Sequence, residues 1–409
     1  MSSFLRWAAA VLAAALLLTG ITTTESGVPT VETEAAGITS AASEMPAVET
    51  EVAGITDPGN LVLGISAEGL LALGYEYGDL LAVTVNGCEM EIPLCSNYSD
   101  VDSRQLVCRA DPDISEEEDL VFLAINMGDL ATTLGIAKKA EIEESPGFRW
   151  DYQVETPVPV TLSMKEEGGY EAEFLLHRLT RSNSRGDYSS LTDSEYANFR
   201  NVATTGMGTG ALYRSSSPLD PALNRNAEAD RALHSAGIRT VVNLADIEED
   251  LDDYPDYSST HYSRLDIIAV KLPADYTDDS FPAGLAEGFR FMASHEGPYL
   301  IHCKEGKDRT GFACAVLECL MGASAEEAVA DYMITYLNFY GVAPGTKQYD
   351  AIRRGIIEKT LSAIFGVDDL YKADLSACAK QTLRGIGLTE DEITALKQRL
   401  ARAYPASAD

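Results

Sequence analysis

Basic residues are scarce in this chain of 409 residues: 31 lysines and arginines stand against 64 aspartates and glutamates, a formal net charge of -33. A chain so short of cations offers no broad surface to nucleic acid or to an anionic membrane, since both bind to a basic face. No Cys-x-x-Cys spacing occurs among the seven cysteines, which argues against a zinc site. Long apolar runs are missing as well. The longest, Trp7 to Leu18, falls short of the roughly 20 residues that span a bilayer; with Arg6 before it, it has the form of a secretory h-region. Residues 1–24 are therefore expected to be a signal peptide, and the protein to be secreted or extracytoplasmic. A membrane tether is expected only through an uncleaved signal anchor, because Ile21 stands where a lipoprotein site would need cysteine.

Aromatic residues are absent from Ile21 to Gly59, a stretch rich in Thr, Glu, Ala and Ser. Within it Val31-Glu-Thr-Glu-Ala-Ala-Gly-Ile-Thr39 recurs as Val48-Glu-Thr-Glu-Val-Ala-Gly-Ile-Thr56. Two copies without an apolar face imply an acidic low-complexity linker over residues 25–59. Elsewhere 45% hydrophobic content is ample for two or three cored domains.

Residues 60–180 carry short β-branched or alternating runs at Leu80 to Val85, Cys88 to Leu94, Leu106 to Arg109, Leu120 to Ile125, Val158 to Met164 and Tyr170 to Leu176. Turn residues such as Asn86-Gly87 and Gly168-Gly169 separate them. A small β-barrel or sandwich is the expected fold. Its motifs Tyr75-Glu-Tyr-Gly-Asp79, Pro93 to Val101 and Leu123 to Ala131 resemble the C-terminal β-domain of S-adenosylmethionine hydrolases and halogenases. The catalytic domain of that family has no counterpart, so its chemistry is not implied. Asn126 and Asp129 are candidates for a ligand-binding edge, with a structural role the stronger alternative. Cys88, Cys95 and Cys108 would allow one disulfide in an exported domain.

What the chain does contain is the string HCKEGKDRTG, from His302 to Gly311. Pro298 to Ile301 before it reads as a buried strand, and Phe312 to Met321 after it as a buried helix, so the motif is a strand-loop-helix junction. Amides at a helix N-terminus have no intrahelical partners, and the helix dipole favours negative charge there. Such a loop holds a phosphate. Gly306 lets the backbone turn tightly, and Arg309 supplies a planar fork for two phosphate oxygens. The same positive field favours the thiolate of Cys303, the nucleophilic form. Thr310 is expected to donate a hydrogen bond to that thiolate, and His302 to brace the loop through its ring.

His302, Cys303, Gly306, Arg309, Thr310 and Gly311 together resemble the signature of the cysteine-dependent protein tyrosine phosphatase superfamily. The ending Gly-Lys-Asp-Arg-Thr-Gly is most similar to the bacterial branch of tyrosine, dual-specificity and phosphoinositide phosphatases. Phe199-Arg-Asn-Val202, Gly210 to Ser217 and Ala236 to Leu244 resemble, in order, the opening of that domain. The resemblance implies a hairpin carrying Arg214 and Ser215, then a helix, then a first parallel strand. It therefore implies an α/β fold over residues 190–409: a parallel-sheet cysteine phosphatase domain with flanking helices and a helical C-terminal part. Asn243-Leu244-Ala245 departs from the family's Asp-Leu-Arg, which removes any contact that arginine makes. Cys314 and Cys319, on the helix, are expected to pack, with Cys314 a candidate oxidation partner of Cys303.

The implied chemistry is hydrolysis of phosphomonoesters through a phosphocysteine, without metal or cofactor. A carboxylic acid must protonate the leaving oxygen. The family places it on a loop before the helix that precedes the signature, here between Ile267 to Leu272 and Phe281 to Ser294. Asp275 is the first candidate, and Asp278, Asp246 and Asp308 are the alternatives. The phosphate is expected among Lys304, Glu305, Gly306, Lys307, Asp308 and Arg309. Lys304 and Lys307 resemble the cations of lipid phosphatases that act on inositol rings, while Glu305 between them partly cancels their field. The substrate is expected to be a phosphorylated protein first, an inositol phosphate or phosphoinositide second. A non-catalytic phosphate-binding module is the third reading.

Overall fold

The computed structural model describes residues 45–112, 119–142, 147–273, 276 and 278–404. The expected signal peptide, most of the expected linker and Asp275 lie outside the described residues. The chain divides into two units, one ending at Leu179 and the other running from Thr180 to the C-terminus.

Alternation builds the first unit. In β3 (Leu80–Val85), between β1 (Val48–Ile55) and β2 (Leu61–Leu63) before it and β4 (Cys88–Cys95) after it, Leu81, Val83 and Val85 are buried while their neighbours are partly exposed. Each faces an apolar partner, Met164, Leu162 and Val160, across the antiparallel pair that β3 makes with a later strand. Burying a side chain of this size contributes about 1.5–3 kcal/mol. The remaining strands are β5 (Leu106–Ala110), β6 (Val121–Ile125), β7 (Ala137–Glu141), β8 (Phe148–Tyr152) and β9 (Pro159–Glu166). They close a barrel in the order β1-β2-β6-β5-β4-β3-β9, with β7 and β8 paired apart from it. Closure leaves the barrel sheet no free edge.

Three expectations fail in this unit. Val48–Ile55, the second copy of the acidic repeat, is not linker: as β1 it pairs with β2 and β9 and buries Val48 and Val52. Only that small apolar face distinguishes it from a tether. Tyr170 to Leu176 is not a strand but the core of helix α1 (Glu171–His177), whose residues are strong helix formers and whose Glu171 and Glu173 favour its N-terminus. No disulfide forms, since all seven cysteines are free, with Cys95 and Cys108 buried and Cys88 exposed. Asn126 and Asp129 serve the fold: Asn126 Nδ2 donates to Val101 O at 2.9 Å, and Asp129 caps the turn at Thr132.

The second unit is an α/β fold. Strands β10 (Arg200–Asn201), β11 (Leu212–Ser215), β12 (Thr240–Asn243), β13 (Asp266–Ala269) and β14 (Tyr299–His302) form one sheet in the order β10-β11-β14-β12-β13. The hairpin partner β10 runs antiparallel to β11, and the other four strands are parallel. β14 is central and buried throughout, as its apolar run demands. Ser215 and Asn243 flank His302 in register, so the C-terminal ends of three strands are level just where the signature begins. Open α/β sheets bind ligands at that edge.

Helices α2 (Asn226–Ser235), α3 (Phe281–Ser294), α4 (Asp308–Met321), α5 (Ala325–Tyr340), α6 (Leu375–Gly385) and α7 (Glu390–Leu400) accompany this sheet, with shorter turns between. Capping boxes at Ser324 and Thr389 open α5 and α7. Helix α4 is buried almost all round, and Gly322 ends it in the left-handed conformation. Among the described residues no helix is long and apolar enough to cross a membrane.

Candidate active site

The signature loop leaves β14 at Cys303 and enters α4 at Asp308. Its carbonyls from Lys304 to Lys307 are all engaged. Lys304 O accepts from Ser217 N at 3.0 Å, Glu305 O from Asn198 Nδ2 at 3.0 Å, Gly306 O from Arg214 Nη2 at 2.9 Å and Lys307 O from Gly311 N at 2.8 Å. Among the described residues no acceptor takes the amides of Lys304 to Lys307. Carbonyls tied outward leave a ring of N–H groups facing inward, ahead of the α4 dipole, which is an anion cup.

Gly306 is required by its neighbours. Its φ is +68°, and a Cβ there would stand 2.1 Å from Ser215 O. Gly306→Ala is therefore expected to push the loop off β11 and abolish binding of inorganic phosphate, read by calorimetry. Circular dichroism would separate this from unfolding. Gly311 is as tightly held, with Tyr332 and Arg214 Nη2 within 3 Å of the place its Cβ would take.

Cys303, only 3% exposed, lies at the base of the cup. Arg309 is braced at one end of its fork: Nη1 donates to Leu244 O and Leu272 O, each at 2.9 Å. These carbonyls follow β12 and lie beyond β13, so the sheet edge aims the guanidinium and leaves its other donors available. His302 is buried and bonds Tyr262 OH through Nε2 at 2.8 Å, while Nδ1 is 3.4 Å from Cys303 O. Burial pushes its imidazole down to about 4, so it is neutral at pH 7 and braces the loop without adding charge. Thr310 Oγ1 is buried and makes no hydrogen bond, so its expected contact with Cys303 is not formed. Ser215 also turns away, donating to Ser216 O at 2.7 Å. Ser215 thus acts through its backbone, as the wall against Gly306.

Behind the cup lies a buried ion network. Asp331 accepts from Arg200 Nε at 2.9 Å and Arg214 Nη1 at 2.5 Å, and its carbonyl accepts from Arg200 Nη2 at 2.7 Å. Arg214 is wholly buried and spans from this carboxylate to Gly306. Arg214 is one of the residues the family resemblance implies; Asn198 is not. Asn198 sits at φ +52°, a conformation asparagine tolerates, and a single such residue leaves no pattern in a sequence.

The acid candidates separate by what they touch. Asp278 is exposed and accepts from Ser280 N and Oγ at the start of α3. Asp246 is buried but committed, to Asn243 Nδ2 at 3.0 Å and Tyr254 OH at 2.9 Å. Asn243 Oδ1 also accepts from Ala245 N at 2.8 Å, which closes the turn where the family's arginine would stand. Asp308 heads α4 within the loop itself, near Lys307 Nζ at 3.7 Å and Tyr332 OH at 3.5 Å. Burial of its base, with the Glu305 charge in support, raises its carboxyl above the usual range although its tip is half exposed; Lys307 opposes the shift.

The two loop lysines have different surroundings. Lys304 is exposed, with Nζ 3.8 Å from Asp220. Lys307 is largely buried over the Tyr336 and Tyr340 rings, with Glu305 Oε2 at 3.4 Å. Burial works against its charge, but Asp308 and Glu305 outweigh that and hold its ammonium above the usual range.

Comparison with known proteins agrees with this geometry. Residues 194–402, just over half of the chain, match the family model described as "Tyrosine phosphatase family". A tyrosine-protein phosphatase of Nostoc commune is 26% identical over 225 residues, covering 44% of this chain and 72% of that protein. The dual specificity protein phosphatase TpbA of Pseudomonas aeruginosa is 27% identical over 122 residues, covering 30% of this chain and 52% of its own length. The crystal structure of an uncharacterized conserved protein from Thermotoga maritima is 21% identical and covers 29% of this chain and 36% of its own, at a TM-score of 0.22, too slight a likeness to bear on fold or function. With the loop, its two flanking strands and the family match in agreement, the chain belongs to the tyrosine phosphatase family.

Proposed function

We propose that the protein hydrolyses phosphomonoesters on proteins, phosphotyrosine and phosphoserine or phosphothreonine, through a phosphocysteine at Cys303. The observation that carries this is the loop whose carbonyls are taken by Ser217, Asn198, Arg214 and Gly311, leaving its amides and Arg309 for an anion beside the thiol. Equatorial phosphoryl oxygens rest on those donors as the charge redistributes. Cys303 Sγ forms a bond to phosphorus while the ester oxygen leaves. Asp308, at the head of α4 within the loop and beside Tyr332 OH, supplies the proton to that oxygen. Water then attacks phosphorus, the S–P bond breaks, and the Asp308 carboxylate takes the water's proton. No step calls for a metal or cofactor.

Asp308→Asn is expected to lower kcat/KM on a phosphotyrosine peptide by about 10²- to 10⁴-fold. The loss should be smaller on an aryl phosphate with a good leaving group, and the falling, basic limb of the pH profile should flatten. Asp275→Asn runs alongside, and if it alone produces those effects the acid is Asp275.

The second reading, an inositol phosphate or phosphoinositide substrate, is favoured by the exposed Lys304 ammonium at the rim. Comparing kcat/KM for a phosphotyrosine peptide, a phosphoserine peptide, a phosphoinositide and phytate decides between them. Dominance of either inositol substrate, with a selective loss in Lys304→Ala, overturns the protein-phosphatase reading. The proposed address is outside the cytoplasm, supported by Arg6 and the apolar run from Trp7 to Leu18.

A further inference from the structure

Glu305 is unusual in pointing a carboxylate at the edge of a cup built for an anion. Its Oε1 accepts from Arg181 Nη1 in an ion pair. Its Oε2 accepts from Tyr340 OH at 3.2 Å and lies 3.4 Å from Lys307 Nζ. Tyr340 OH is also 3.5 Å from Lys307 Nζ, so the donors form a continuous set. Arg181 and Glu305 are each at least two-thirds shielded from solvent. Two cations and a phenol converging on one carboxylate have the composition of a phosphate site. Here a side chain of the protein occupies it.

We infer that Arg181, Lys307 and Tyr340 form a second anion subsite beside the catalytic cup, and that Glu305 is its resident anion, which excludes a second phosphate. The inference rests on the phosphomonoesterase reading and adds a specificity-determining residue to it. A tethered carboxylate competes at high effective concentration and cancels the field that would otherwise draw a doubly phosphorylated group. Substrates with one phosphate meet no competitor, because the resident carboxylate lies outside the cup. Arg181 belongs to the first residues of the second unit, so its contribution comes from a segment far from the signature in sequence.

The test is the ratio of kcat/KM for a peptide bearing two adjacent phosphorylated residues to that for the singly phosphorylated peptide. Glu305→Gln should raise that ratio about tenfold, the size of one partly shielded charge interaction. Glu305→Gln combined with Arg181→Met or with Lys307→Met should lose the gain. A ratio unchanged in Glu305→Gln, or a gain that survives both double substitutions, overturns the inference. Binding of methylenebisphosphonate against inorganic phosphate to the Cys303→Ser protein, with and without Glu305→Gln, gives a readout independent of turnover. A tenfold selective gain for the bisphosphonate supports the subsite even where hydrolysis is not seen; equal affinities for the two ligands in both proteins refute it.

Discussion

Cys303→Ser should cut turnover by at least about 10⁴-fold while leaving the affinity for inorganic phosphate within a fewfold of the wild type. The two readouts part because the substituted atom makes the covalent bond, whereas the cup that binds the anion is built of backbone. A serine hydroxyl is a far weaker nucleophile than a thiolate, and among the described residues the ring of His302 beside it is engaged with Tyr262 OH through Nε2. Single-turnover kinetics with phosphotyrosine peptide, together with calorimetric binding of phosphate, checks both halves. Wild-type turnover in Cys303→Ser would leave the covalent route untenable and require a catalytic group other than Cys303.

The largest effect on stability should come from Asp331→Asn, at about 3–5 kcal/mol, because it leaves Arg200 and Arg214 buried without their common carboxylate. Burial works against the charge of Asp331, but the two guanidinium groups outweigh it and hold its carboxyl below the usual range. The sign follows from linkage. A depressed folded pKa stabilises above the unfolded value of about 3.9, and that contribution is lost as pH falls through the lower folded value. The gap between wild type and variant in urea denaturation should therefore be full at pH 7 and shrink below about pH 4. Glu318 is the one internal fallback among the described residues. It is buried on α4 with neither oxygen bonded, and burial first, then the Asp331 charge, raises its carboxyl well above the usual range. Asp331→Asn/Glu318→Gln removes that fallback and should be less stable than Asp331→Asn alone. Equal stability of Asp331→Asn and wild type at neutral pH would mean that Asp331 carries no net load. Phosphate affinity should fall with Asp331→Asn as well, since Arg214 links Asp331 to Gly306.

The resemblance to the family's signature is not complete around Arg309. The cup, its thiol and Arg309 follow the shared pattern. Arg309 takes its bracing from the carbonyls of Leu244 and Leu272, so the departure at Asn243-Leu244-Ala245 removes a side chain without removing that support. Asn243 remakes the turn with its own amide, through Ala245 N and Asp246 Oδ2.

Local order was legible wherever a short run of residues decides its own conformation. The strand before Cys303, the helix after Arg309, the helix from Phe281 to Ser294 and the alternating strands of the barrel all stand near where the pattern of residues put them. The role of Gly306 was legible too, since only a residue free of a Cβ fits against Ser215 O at that φ. The failures share a cause. Val48–Ile55 looked like tether because its apolar positions are few, and it becomes β1 only because β2 and β9 supply partners for its backbone. Tyr170 to Leu176 looked like a strand because Tyr170, Phe174, Leu175 and Leu176 are apolar, although helix propensity and two early glutamates favour α1.

By itself, then, the sequence determined the local conformation of the loop from His302 to Gly311, because a strand, a tight turn and a helix N-terminus are local and their residues are contiguous. Tertiary structure alone decided what surrounds that loop. Asn198, Arg214 and Ser217 reach its carbonyls from other elements, Asp331 neutralises Arg214 from α5, and Arg181 closes on Glu305 across more than a hundred residues. Contacts of that kind depend on how strands are ordered in a sheet and which helix faces which, and no local pattern of residue types records that order.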